Sequence, residues 1–172
     1  MPSYSEHELN YIIWQNRAFR FYLAARLLHQ RKLYVPAAYS AVIAIELLLK
    51  GTLIYWDSSF NPQGDGGHGM AKMVRMVKNK AHASEFSVPR YFYHEQRYLN
   101  VSRYPSNGKG VCIPATFLDD LDKAFVDLTF LIPFQHNTEL KNTLSERSRP
   151  KLTTLRYKNK QMRRLRKELL SD

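Results

Sequence analysis

The 172-residue chain holds 26 lysines and arginines against 15 aspartates and glutamates, and 44% of its residues are hydrophobic. That apolar content excludes wholesale disorder, and a single cysteine excludes an intramolecular disulfide framework and a cysteine zinc site. The formal net charge of +11 makes nucleic acid, nucleotides or an acidic surface the first partners to consider. The N-terminus carries Glu6 and Glu8 and no apolar run, so we expect no secretory signal and a cytoplasmic location.

Residues 5–33 predict a long amphipathic helix, because apolar residues recur there at helical spacing. Ser5 and Glu8 have the spacing of a capping box at its start. The residues expected to form its apolar face are Leu9, Ile12, Ile13, Phe19, Leu23 and Leu27.

Residues 36–56 form the longest apolar stretch, and by length alone they could span a bilayer. Glu46 and Lys50 lie in the middle of the stretch, four residues apart on one helical face. The pattern therefore favours a buried central helix of a bundle over a membrane span. Pro36 suits a first helical turn, where its missing N–H costs nothing.

Three further helices are predicted after a glycine-rich loop: a short basic helix over 68–81, an aromatic-rich one over 90–103, and a strongly periodic one over 115–135. Thr116 is a candidate cap for the last of these. No stretch shows sustained strand alternation. We therefore predict an all-α fold, an up-and-down bundle of four to five helices over 1–136.

Residues 137–172 form a basic C-terminal tail that we expect to be partly helical, with 11 basic and 4 acidic residues. Nucleic acid would bind such a tail through its phosphates, but a protein partner or a passive solvated arm would also fit. The candidate nucleic-acid-binding residues are Arg156, Lys158, Lys160, Arg163, Arg164, Arg166 and Lys167.

Three segments resemble the HEPN family of helical proteins, which is linked to nucleotide binding and RNA cleavage. Tyr39 followed by Glu46 through Lys50 is similar to the second helix of the family, and His68 after the glycine loop is similar to the histidine that opens its next helix. Tyr98 with Arg103-Tyr104-Pro105 resembles a segment of its nucleotidyltransferase-associated and sacsin-like branches. The resemblance covers residues 5–136.

The resemblance implies a homodimer that binds a nucleotide or RNA, without a metal or other cofactor and without strong catalysis of its own. It also implies work beside a nucleotidyltransferase partner, or in a toxin–antitoxin or defence system. The implied ligand-binding residues are Glu46, Lys50, His68, Arg103 and Tyr104. Glu46, Lys50 and Arg103 are equally consistent with an ion-pair network that only holds helices together.

Two alternatives remain open from the sequence. HEPN ribonucleases carry an arginine and a histidine separated by four to six residues, and Arg75 and His82, with six residues between them, are the one formal match. That pair would make the protein a metal-independent ribonuclease, although it falls on the third predicted helix rather than late in the bundle. The other alternative is a protein-assembly module that binds no ligand.

Overall fold

The computed structural model describes residues 6–64, 69–93, 113–133 and 160–169, and it confirms an all-α bundle. Its helices are α1 (Glu6–Gln30), α2 (Tyr34–Trp56), α3 (Met70–Lys80), α4 (Phe117–Thr129) and α5 (Lys160–Leu169). Residues 90–93 are also helical, and no strand occurs within these four described ranges.

Helix α1 buries a face that matches the sequence prediction only in part. Leu9, Ile13 and Leu27 are 46%, 49% and 43% exposed, so the prediction that they face the core is wrong. Phe19 is buried as predicted, and Ile12 and Leu23 are half-buried against the core. The residues that α1 buries are Tyr11, Gln15, Ala18, Phe19, Tyr22, Ala25 and Arg26. That face carries two alanines, and small side chains let two helix backbones approach closely.

The approach of α1 to α2 is close along most of their length. Buried alanines line α2 as well, and a Cβ added at Gly51 would lie 3.2 Å from the Cβ of Trp14. A face of leucines on α1 would hold the two backbones farther apart. The alanine-rich face is therefore the one that packs against α2, and Leu9 and Leu27 remain exposed to solvent.

Helix α2 is the central buried helix that the sequence predicted. By length and composition it could cross a membrane, but 78% of its most apolar window is buried inside the protein. It contacts α1, α3 and α4, which together cover its sides. Pro36 lies in its first turn, as expected.

Helix α4 presents the predicted apolar stripe to the core, with Leu121, Phe125 and Leu128 buried. The predicted cap is wrong, because the Thr116 hydroxyl donates to the Asp120 carboxylate at 2.8 Å and makes no capping bond. The helix ends at Thr129 rather than 135, since a residue before a proline disfavours helical backbone and Pro133 follows shortly.

One side chain from α1 and one from α2 form hydrogen bonds with the segment that follows α4. Trp56 donates its indole N–H to the Leu131 carbonyl at 2.8 Å, and Gln15 donates to the Pro133 carbonyl at 3.3 Å. Helix α5 packs on α4, and Leu165 from α5 is fully buried in the same core. Part of the predicted tail thus lies on the bundle as a helix.

Candidate functional site

The predicted site residues divide into described and undescribed positions. His68, Arg103, Tyr104, Arg156 and Lys158 lie outside the residues that the structure describes, as does the side chain of Arg166. Glu46 and Lys50 lie on α2, Arg75 lies on α3, and His82 lies in the turn after it. The remaining tail cations all lie on α5: Lys160, Arg163, Arg164 and Lys167.

Glu46 and Lys50 form the ion pair that their spacing predicts. The Lys50 ammonium lies 2.8 Å from the Glu46 carboxylate and 5.6 Å from the centre of the Trp14 ring. The Lys50 side chain is 6% exposed and that of Glu46 is 19% exposed. A buried ammonium needs such compensation, because its removal from water is costly. The pair therefore lies within α2, and the contact of Lys50 with the Trp14 ring links it to α1.

We expect Glu46→Gln to destabilise the protein by about 2 kcal/mol, since it leaves the buried Lys50 ammonium without its carboxylate. Lys50→Met should cost only about 1 kcal/mol, because methionine keeps the packing against Trp14 and Glu46 is nearer solvent. Urea denaturation of the two variants measures the difference. Equal stability of Glu46→Gln and the wild-type protein would show that the ion pair does not contribute to the free energy of unfolding.

A second ion pair, which the sequence analysis missed, joins α1 to α4. The Arg26 guanidinium hydrogen-bonds both carboxylate oxygens of Asp122, and the Tyr22 hydroxyl donates to one of them at 2.6 Å. The Tyr22 ring stacks on Phe125 with centroids 4.1 Å apart. Complete burial, and then the Asp122 charge, raise the pKa of the Tyr22 hydroxyl well above its ordinary value, so it remains a donor.

Asp122 is the anionic centre of this network and is 3% exposed. Burial raises the pKa of its carboxyl group, and Arg26 and Tyr22 oppose that rise by binding the ionised form. The three groups bond to one another inside the core, where none of them is more than 6% exposed. The arrangement can fix the angle between α1 and α4, and we assign it no chemistry.

The described cations of α5 form one exposed surface. Lys160, Arg163, Arg164 and Lys167 recur at intervals of three and four, so they share one side of the helix. Leu165 lies on the other side and is buried. Among the described residues no carboxylate forms an ion pair with any of these four cations. We call this set of four the α5 cation face.

An open cleft of about 590 Å³ lies between α4, α5 and the loop after α3. Its apolar wall includes Phe86 and Phe130, and the Arg164 guanidinium lies 4.8 Å from the centre of the Phe130 ring. Its polar rim includes Glu85 from the loop and Arg164 from α5. The volume falls in the range of about 300–1,000 Å³ that is usual for small-molecule sites.

His82 lines this cleft, but Arg75 does not. His82 has a left-handed backbone with φ of 51°, just beyond the end of α3, and this turns the chain toward α4. Arg75 is exposed on α3, two helical turns earlier. His82 therefore shares the cleft with Arg164 and not with Arg75, the arginine that the sequence motif offered.

Within the described ranges no group of three or more histidine, cysteine, aspartate or glutamate side chains could hold a metal ion. Compared with known proteins, the chain matches no protein-family model, no curated protein and no solved structure. The fold and the site together define an all-α bundle with a docked basic helix beside an open cleft.

Proposed function

We propose that this protein binds RNA through the α5 cation face, as a HEPN-like bundle without strong catalysis of its own. The observation that carries the proposal is that four cations on one side of a helix anchored in the core form no ion pair with any carboxylate that the structure describes. Such cations are available to phosphate, which binds guanidinium and ammonium groups through charge-assisted hydrogen bonds.

The anchoring of α5 gives these cations an advantage over a solvated arm. Leu165 fixes the helix on α4, so the spacing of the four charges is set before RNA arrives. Less side-chain and backbone freedom is then lost on binding. The overall charge of +11 adds long-range attraction for a polyanion.

The proposal predicts a salt dependence of RNA affinity that originates in α5. Affinity for a single strand decreases with salt, and each phosphate contact contributes about −0.7 to the slope of log affinity against log salt. Removing one contact therefore makes the slope shallower by about 0.7. Arg163→Gln with Lys167→Gln should therefore flatten the slope by about 1.4 if both side chains contact phosphates. Fluorescence anisotropy with a labelled RNA oligomer at several salt concentrations measures this slope.

The matched control is Arg17→Gln with Arg31→Gln, which removes one exposed cation from α1 and one from the turn after it. The control should keep the wild-type slope, although its net charge falls by the same amount. Substitutions are preferable to deleting the tail, because a deletion would also remove Leu165 from the core. Equal slopes for the wild-type protein and the α5 variant would contradict the proposal.

His82 in the cleft gives the ribonuclease alternative a specific observation to test. An imidazole can act as a general acid or base in RNA cleavage, and an arginine that lines the same cleft can hold the phosphate. We expect weak or absent cleavage of RNA in the presence of a metal chelator. Cleavage that His82→Gln abolishes would replace RNA binding by metal-independent cleavage as the function.

We further propose that the protein acts as a homodimer. The support for this is the row of leucine and isoleucine side chains that α1 leaves exposed at Leu9, Ile13 and Leu27. A nucleotidyltransferase or antitoxin partner is proposed only on the resemblance to HEPN proteins, as is a toxin–antitoxin or defence role.

A further inference from the structure

Two ionic side chains of opposite sign line the same cleft without pairing. Arg164 and Glu85 form no ion pair with each other, and neither forms one with any other residue that the structure describes. The other two ions of the cleft are already paired, since Lys123 lies 2.6 Å from Asp127. A cation and an anion are thus both left available within one cavity.

We propose that the cleft binds one ribonucleotide unit of an RNA strand, with Arg164 on a phosphate and Glu85 on the ribose 2′-hydroxyl. The proposal rests on the proposed RNA binding and names how that RNA is distinguished from DNA. A ligand that matches both free side chains must offer an anion to Arg164 and a hydrogen-bond donor to Glu85. A nucleotide with a 2′-hydroxyl carries both groups on adjacent parts of the same molecule.

The two side chains suit these roles chemically. A guanidinium binds phosphate oxygens through parallel N–H bonds, and Arg164 is held in place by its contact with Phe130. A carboxylate only accepts hydrogen bonds, so Glu85 can accept a hydrogen bond from a hydroxyl, and its negative charge repels a phosphate. The opposed charges therefore orient the nucleotide, with its phosphate toward α5 and its sugar toward the loop after α3.

The apolar wall of the cleft offers no base-specific contact. Phe86 is only 5% exposed and the Arg164 guanidinium lies over the half-buried Phe130 ring, and neither aromatic side chain carries a hydrogen-bonding group for a base edge. Neither Arg164 nor Glu85 reads a base edge. The cleft should accordingly distinguish the sugar and not the sequence.

The experiment compares the affinities of oligoadenylate and oligodeoxyadenylate, which differ only in the 2′-hydroxyl. We expect wild-type protein to bind the RNA about tenfold more tightly, the low end for a hydrogen bond to a charged group. Glu85→Ala should reduce that ratio to about one. The ratio is the readout because removal of a negative charge strengthens binding of both polymers alike.

Two further variants act as controls. Asp119→Ala removes an exposed carboxylate that does not line the cleft, and it should keep the tenfold ratio. Arg164→Gln should weaken binding of both polymers and also keep the ratio. A wild-type ratio near one, or an unchanged ratio in Glu85→Ala, would overturn the inference while salt-dependent RNA binding survived. Absence of binding to both polymers would overturn the proposed function as well.

Discussion

Arg26→Met is expected to lower the free energy of unfolding by about 3–5 kcal/mol, because it removes the charged partner of the buried Asp122 carboxylate. The carboxylate is 3% exposed and cannot recover its lost solvation without opening the contact between α1 and α4. Urea denaturation followed by far-UV circular dichroism measures the change. The expected loss is a large part of the total stability of a domain of this size.

The triple variant Tyr22→Phe, Arg26→Met, Asp122→Leu distinguishes the cost of breaking the network from its net contribution. Apolar groups of similar volume often replace a buried ion pair without loss of stability. We therefore expect the triple variant to be nearer the wild-type protein than Arg26→Met is. Removing Tyr22 from the network at the same time avoids a buried hydroxyl without a partner.

An exposed pair on the same helix provides the control for this experiment. Lys123 and Asp127 are four residues apart on α4, and the Lys123 side chain is 54% exposed. Lys123→Met should change the stability by less than about 1 kcal/mol, since solvent screens such a pair. If Arg26→Met costs no more than this control, the buried network does not hold α1 against α4.

Much of the fold follows from helical periodicity in the sequence, but the packing face of α1 does not. Apolar residues occur on two sides of that helix, and periodicity alone does not say which side faces α2. The alanines decided it, because they allow close approach, and their contribution depends on a partner surface that the sequence of α1 does not contain. The stripe of α4 had no such competitor, and Leu121, Phe125 and Leu128 are buried as predicted, whereas Leu118 is half-buried.

The sequence contains a pattern that indicates part of the missed network of Tyr22, Arg26 and Asp122. Asp122 lies four residues after Leu118 and three before Phe125, which places a carboxylate on the apolar stripe of α4. Tyr22 and Arg26 are four residues apart on α1. A buried acid predicts a buried base, but the two partners are 96 positions apart in the chain. Only the packing of α1 against α4 identifies which arginine it is.

The candidate site shows the same division between local and distant information. The α5 cations could be listed from composition, whereas their common side and their lack of carboxylate partners required the docked helix. The cleft depends on three chain segments that are far apart in sequence. The sequence motif paired His82 with Arg75, but in the structure His82 lines the cleft together with Arg164.

Leu165→Asn is expected to weaken RNA binding about tenfold while leaving every charge in place. Leu165 is fully buried, so asparagine there would put an amide without a partner into the core. The variant should therefore favour a state in which α5 is detached from α4 and the amide is in contact with solvent. A detached helix of 10 residues is too short to remain stably folded in water, so the α5 cation face would lose its fixed spacing.

Leu33→Asn is the matched control, because it makes the same chemical change at a leucine that is 49% exposed and lies between α1 and α2. Cleavage by trypsin within α5 reports detachment independently of RNA, and it should be faster in Leu165→Asn than in Leu33→Asn. Detachment that leaves RNA affinity unchanged would mean that charge alone binds the strand. The fixed spacing of the α5 cations would then play no part in recognition, and the tail would work equally well as a solvated arm.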